Sequence, residues 1–180
     1  VNLRADCSQC QALCCVALAF DRSDMFAIDK PAGVACPNLA DDYGCKIHEQ
    51  LGDLGFAGCQ KYDCLGAGQR IVNEVFPNVD WMNNASQLRP IMAAFAALRK
   101  VHELLELLLT AQRLPLAQAQ AAICGDLIAK LSPPAGWHAD ALKEFEQSDV
   151  ARRVNEFLSA LRDLPAIQIR AEKTRKTTQM

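Results

Sequence analysis

Eight of the nine cysteines fall in the first 64 residues: Cys7, Cys10, Cys14, Cys15, Cys36, Cys45, Cys59 and Cys64. The stretch that holds them carries few strong apolar repeats. It is broken by turn-formers, among them Pro31, Gly33, Pro37, Gly52, Gly55 and Gly58. A segment with so little apolar mass needs a staple in order to fold, either disulfides or a metal whose binding energy becomes folding energy. The remaining 116 residues look helical and contain only Cys124. A well-cored helical half has no need of four disulfides beside it. The thiols therefore read as reduced metal ligands and the chain as cytoplasmic.

The spacing supports ligation. In Cys7-x2-Cys10 a tight turn aims two sulfurs at one ion, and Cys10 and Cys14 share a face if that segment is helical. Adjacent Cys14 and Cys15 point differently, which suggests two metals, or one metal and a core position. Cys59 and Cys64 bracket Tyr62 and Asp63 and could close the site from the far side. Eight thiolates suit two four-cysteine zinc sites, one iron–sulfur cluster with spare thiols, or a small copper(I) cluster. Ligand softness excludes calcium and magnesium without separating these three. His48 could add a nitrogen ligand, but reads equally well as a partly exposed helix residue. His102 reads as a core-edge residue, His138 as a helix start and Cys124 as core. The run Gly66-Ala67-Gly68-Gln69 lacks the Lys-Ser/Thr pair of a nucleotide loop. Its glycines instead permit close backbone approach near the metal site.

Short helices are expected at 11–20, 46–54 and 64–74. From about residue 84 the pattern changes. Ile91, Phe95, Leu98, Val101, Leu105 and Leu108 recur at three- and four-residue steps, predicting an amphipathic helix to about residue 112. Asn84 or Ser86 would cap it, with Pro90 in its first turn. Further helices are expected at 116–131 and 138–147, the last continuing past Ser148 toward residue 164, where Pro165 stops it. The fold class expected is mainly α: a metal-stabilised cysteine-rich module of short helices and loops (1–70), a small helical bundle (71–164) and a flexible polar tail (165–180).

Hydrophobic residues make up 51% of the chain, enough for a real core, and the net charge is −2. That balance gives no general pull toward nucleic acid or an anionic membrane. The longest apolar candidate, 104–109, contains Glu106 and is far too short to span a bilayer. The N-terminus shows no basic region followed by an apolar stretch, so no secretory signal is read there. The leucines at 104, 105, 107, 108 and 109 exceed one stripe, which leaves room for a protein partner or homodimer contact through the helical half.

Three blocks of residues carry a resemblance. They are Cys7-x2-Cys10-x3-Cys14-Cys15; Cys36-Pro37-x-Leu39 with Cys45-x-Ile47-His48; and Gly58-Cys59-x2-Tyr62-x-Cys64. Together they resemble a divergent branch of the CxxCxxCC cysteine-cluster family, described as a zinc- or iron-chelating domain and often labelled iron–sulfur. Here the gap between Cys10 and Cys14 in the opening cluster is three residues rather than two, His48 stands at a tyrosine position, and an Arg-Pro pair before Cys59 is replaced by Leu54-Gly55-Phe56-Ala57-Gly58. Residues 6–69 are also similar to the cysteine-rich leader of some bacterial pentapeptide-repeat proteins, although no such repeats follow. The resemblance implies the eight cysteines as ligands and no catalytic residue. Three functions are consistent with these observations: metal chelation or a metal-stabilised interaction module, an iron–sulfur redox protein or enzyme component, and copper(I) sequestration. Zinc and an iron–sulfur cluster fit equally, and copper(I) less well, because the helical half lacks a cysteine-lined interior.

Overall fold

A computed structural model describes residues 2–162. Within them the protein is mainly helical and has no strand, only isolated antiparallel bridges at Phe20–Lys30, Ser23–Phe26 and Leu39–Cys45. The expected tail at 165–180 lies outside the described residues.

The helices are α1 (Leu13–Ala17), α2 (Ala57–Lys61), α3 (Ala67–Arg70), α4 (Ala85–Ala111), α5 (Gln118–Leu131), α6 (Ala139–Gln147) and α7 (Val150–Leu161). Single 3-10 turns occur at Cys7–Gln9 and His48–Gln50, and a π-helical turn, Ile71–Val75, continues α3. The expected helix at 11–20 shrinks to α1 and that at 46–54 to one 3-10 turn. α2, unannounced by any apolar period, forms around Cys59.

α4 is the axis of the molecule. Its buried face runs through Ile91, Phe95, Leu98, Val101, Leu105 and Leu108, which repeats the sequence period. Asn84 precedes its first turn, and Ser86 Oγ donates to Asn84 Oδ1 at 2.7 Å. Pro90 sits one turn further in than expected, inside the helix, where it has no N–H for the carbonyl four residues back. α5, α6 and α7 pack on α4, and so do α1 and α3. α6 and α7 are separate helices, because Ser148 adopts an extended backbone (ψ 168°) and its hydroxyl donates to Phe145 O at 2.7 Å. His138 caps α6 by accepting from the Ala141 N–H at 3.2 Å.

The core crosses the change in composition. Leu13, Val16 and Ala67 from the cysteine-rich segment join Ile71, Ile91, Phe95, Leu98 and Leu105 in one buried cluster. Burial of each large side chain contributes about 1.5–3 kcal/mol. α4 is thus both the spine of the bundle and the floor under the cysteines. Of the surplus leucines, Leu104, Leu105 and Leu108 are buried and Leu107 is 50% exposed. No helix among the described residues is long and apolar enough to cross a membrane.

Candidate metal centre

All nine cysteines carry free thiols. Cys124 is fully buried on α5, its Sγ 3.6 Å from Leu108 O, well inside the bundle. The other eight lie on the short helices of the N-terminal region and the loops between them. Cys7 and Cys59 are exposed, and the rest are partly buried.

The Cys7–Gln9 turn closes through a Cys10 N–H to Cys7 O bond at 3.3 Å, which places both residues on one knuckle. That knuckle is tied to α3 across more than 60 residues of sequence. Gln69 Oε1 accepts from the Asp6 N–H, and Gln69 Nε2 donates to Arg4 O, both at 2.9 Å. Asn73 Nδ2 donates to Gln9 O at 3.0 Å. The face so presented is Gly68. A Cβ at that position would lie 2.6 Å from Cys10 Sγ and 3.7 Å from Cys64 Sγ. A side chain there would collide with Cys10 Sγ, while Cys64 Sγ stands at ordinary van der Waals distance.

A second set of links joins the later cysteines. The Cys36 N–H donates to Cys15 O at 3.0 Å. Leu39 N–H returns to Cys36 O at 2.9 Å, and Leu39 bridges to Cys45.

Backbone strain concentrates here. Among the described residues, four non-glycine residues have positive φ, and three of them flank cysteines: Ala12 between Cys10 and Cys14, Tyr43 before Cys45, and Leu65 after Cys64. Each such position costs on the order of 1 kcal/mol and persists only where the surroundings impose it.

The thiols shape one another's chemistry. Burial, then neighbouring thiolate charge, raises Cys7 above the ordinary thiol range. Burial pushes Cys10 up to about 12 and Cys59 up to about 11, each with added repulsion from Cys14. Cys14 is raised furthest, first by its hydrogen bond to Cys15 and then by burial. Several thiolates cannot coexist at neutral pH without a cation between them, so ligation here must displace protons. The donor set fits a soft or borderline metal, and the Gly68 cradle fits sulfur. Among the described residues, however, no three Cys, His, Asp or Glu side chains stand together in ligating geometry. The thiols are gathered but not closed around a point. His48 is exposed on its 3-10 turn.

Two residues at this site escaped the sequence reading. Lys30 is only 3% exposed, and its Nζ donates to Val34 O (2.9 Å), Pro31 O (3.1 Å) and Val16 O (3.4 Å). It also stands 5.5 Å from the Phe20 ring centroid. Burial lowers its pKa, while the charges of Cys36, Cys15 and Cys14 act to raise it. Nothing around position 30 marks it in the sequence.

His102, expected at the core edge, is fully buried on α4. Its Nδ1 bonds Leu65 O at 2.6 Å and its Nε2 meets Arg70 Nη1 at 3.2 Å. Leu65 O can only accept and Arg70 can only donate. The proton therefore sits on Nδ1 and the ring is neutral. Burial, with the Arg70 charge adding to it, lowers the His102 pKa to about 4. The ring pins the strained residue after Cys64 to the bundle.

No family model and no solved structure matches the chain. It is 32% identical over 175 residues to the Bacillus subtilis (strain 168) protein described as uncharacterized protein YybG. That similarity covers 97% of this chain, cysteine-rich segment and helices alike, and 63% of the relative, so the chain spans under two thirds of the relative's length.

Proposed function

We propose that this protein binds a thiophilic metal through the cysteines of its first 64 residues, as a chelating or metal-stabilised interaction module. The observation that carries this reading is the convergence of thiols from distant parts of the chain, above all Cys10 and Cys64 on Gly68. A fold that strains its backbone beside three of these cysteines and reserves a side chain's space for sulfur treats them as more than filler. The ligand set is Cys7, Cys10, Cys14, Cys15, Cys36, Cys45, Cys59 and Cys64, in keeping with the resemblance to the cysteine-cluster family. Such ligation belongs in a reducing compartment, which supports a cytoplasmic setting.

Zinc or an iron–sulfur cluster would satisfy the donors. A second reading, an iron–sulfur redox protein or redox component of an enzyme, is favoured by the partial burial of the inner thiols, since a buried cluster is shielded from solvent. Copper(I) sequestration is the third. Docking of a protein partner or second copy would use apolar residues left in the open on the bundle, such as Leu107 and Ile123.

The test is metal and acid-labile sulfide content of protein purified without air, read beside its visible spectrum. Zinc without sulfide supports the chelating module. Iron with matching sulfide and a brown colour moves the assignment to the redox reading. Cys10→Ser and Cys45→Ser should each lower metal content, and Cys124→Ser should not. Metal-free protein from a chelator-free preparation would sink the proposal.

A further inference from the structure

We propose that Cys10 and Cys64 form a reversible dithiol–disulfide couple, oxidised by a low-molecular-weight disulfide to an intrachain bond that ties the N-terminal turn to α3. Two thiols suffice for it, so it stands apart from the metal-binding reading.

The geometry brings together a pair. No three ligating side chains meet among the described residues, but the sulfurs of Cys10 and Cys64 both lie against buried Gly68. A Cβ built on Gly68 stands 2.6 Å from the first and 3.7 Å from the second. The two sulfurs are therefore separated by no more than those distances laid end to end. Glycine leaves the space between them open.

Both partners are held from outside the pair. On the Cys10 side, Asn73 Nδ2 donates to Gln9 O, and Gln69 bonds the backbone of Asp6 and Arg4. On the Cys64 side, the Ala67 N–H donates to Cys64 O at 3.0 Å, and His102 Nδ1 holds Leu65 O at 2.6 Å. A disulfide forms where the backbone already sets two sulfurs close, because its geometry tolerates little error. Cys7 shares the turn but is exposed, whereas Cys10 faces α3.

The exchange runs in two steps. The Cys64 thiolate attacks one sulfur of the small disulfide, forming a mixed disulfide and expelling the first thiol. Cys10 then attacks the Cys64 sulfur, forming the intrachain bond and expelling the second. Two electrons pass from the cysteines to the oxidant, and the two cysteine protons end on the expelled thiols. Cys10 acts second because burial pushes its thiol up to about 12, and proximity offsets that in an intramolecular step. The bond closes residues 10–64 into a loop, which takes freedom from the unfolded segment and staples it without an ion.

The test is glutathione disulfide added to the full chain as purified, with a chelator in a parallel arm so that a bound ion cannot shield the thiols. Free thiols are counted, and the links are mapped by tandem mass spectrometry of an unreduced digest. The expected result is two thiols lost of the nine, a Cys10–Cys64 link as the main product in at least one arm, and full recovery on reduction. No link, or Cys10 joined mainly to Cys7, Cys14 or any other partner in both arms, overturns the couple. Cys64→Ser should lose no pair of thiols, and a pair still lost there overturns it as well. The wild-type map decides even if that variant fails to fold. Zinc content is read before the oxidant is added. A zinc-free chain that forms the link keeps the couple and loses the metal-binding reading, and a zinc-bound chain without the link does the reverse.

Discussion

In α4, buried apolar side chains arrive at every third or fourth position from Ile91 to Leu108, and neighbouring helices close over them. Among described residues 2–64, Leu13, Val16, Leu39, Leu51 and Phe56 are the large buried apolar residues, and the last two lie outside the main core cluster. The first region is held by area removed from water, spread over many residues. The second has backbone turns, long-range side-chain bonds and sulfur. A distributed core tolerates the loss of any one member at a graded cost. A segment organised around a few donors should fail as a unit when they are disengaged.

Metal removal should separate the two regions most sharply. A structural ion bound by thiolates supplies roughly 10 kcal/mol of folding free energy at neutral pH. Chelation should raise amide exchange across residues 7–64 by orders of magnitude while α4 and α5 keep their protection. Uniform loss of protection would show that the regions fold as one unit. Phe95→Ala, at the heart of α4, should cost about 3–5 kcal/mol in urea unfolding. Because the core is shared, that loss should be felt in both regions.

His102 probes the joint between them. Its pKa is about 4 when folded, against 6.5 for an unperturbed imidazole. Between those values the unfolded chain binds more protons than the folded one, so the stability from neutral His102 is present above pH 6.5 and lost as pH falls toward 4. The loss should reach ~2 kcal/mol at pH 5. His102→Gln should flatten that part of the pH profile, and an unchanged slope would assign it elsewhere. Gly68→Ala should cost about 1–2 kcal/mol by overpacking and should lower metal content, because its Cβ meets Cys10 Sγ. Full metal content in that variant would remove the sulfur cradle from the argument. Cys124→Ser should have the smallest effect, about 1 kcal/mol with unchanged metal, since the thiol is buried far from the donor group.

The helical half was largely legible. α4, α5 and α6 start and stop within two residues of the boundaries set by apolar period, His138, Asn84 and the Pro133–Pro134 stop. The break before α7 was not, because Val150, Val154 and Phe157 continue an apolar face across it and only the Ser148 hydrogen bond to Phe145 marks the turn. The cysteine density announced a thiol-rich segment. The extent of its short helices did not show, since they are shaped by contacts rather than propensity.

Cysteine count, charge balance and apolar period needed no coordinates: they specify a mainly helical chain with a thiol-rich end. Which sulfurs face one another, why position 68 must lack a side chain, and how Lys30 and His102 enter the site emerged only from the folded chain. The bonds responsible join residues as distant as Asp6 and Gln69, or Leu65 and His102. Helical periodicity is a relation among near neighbours and survives in one dimension. A donor constellation exists only after the chain closes on itself.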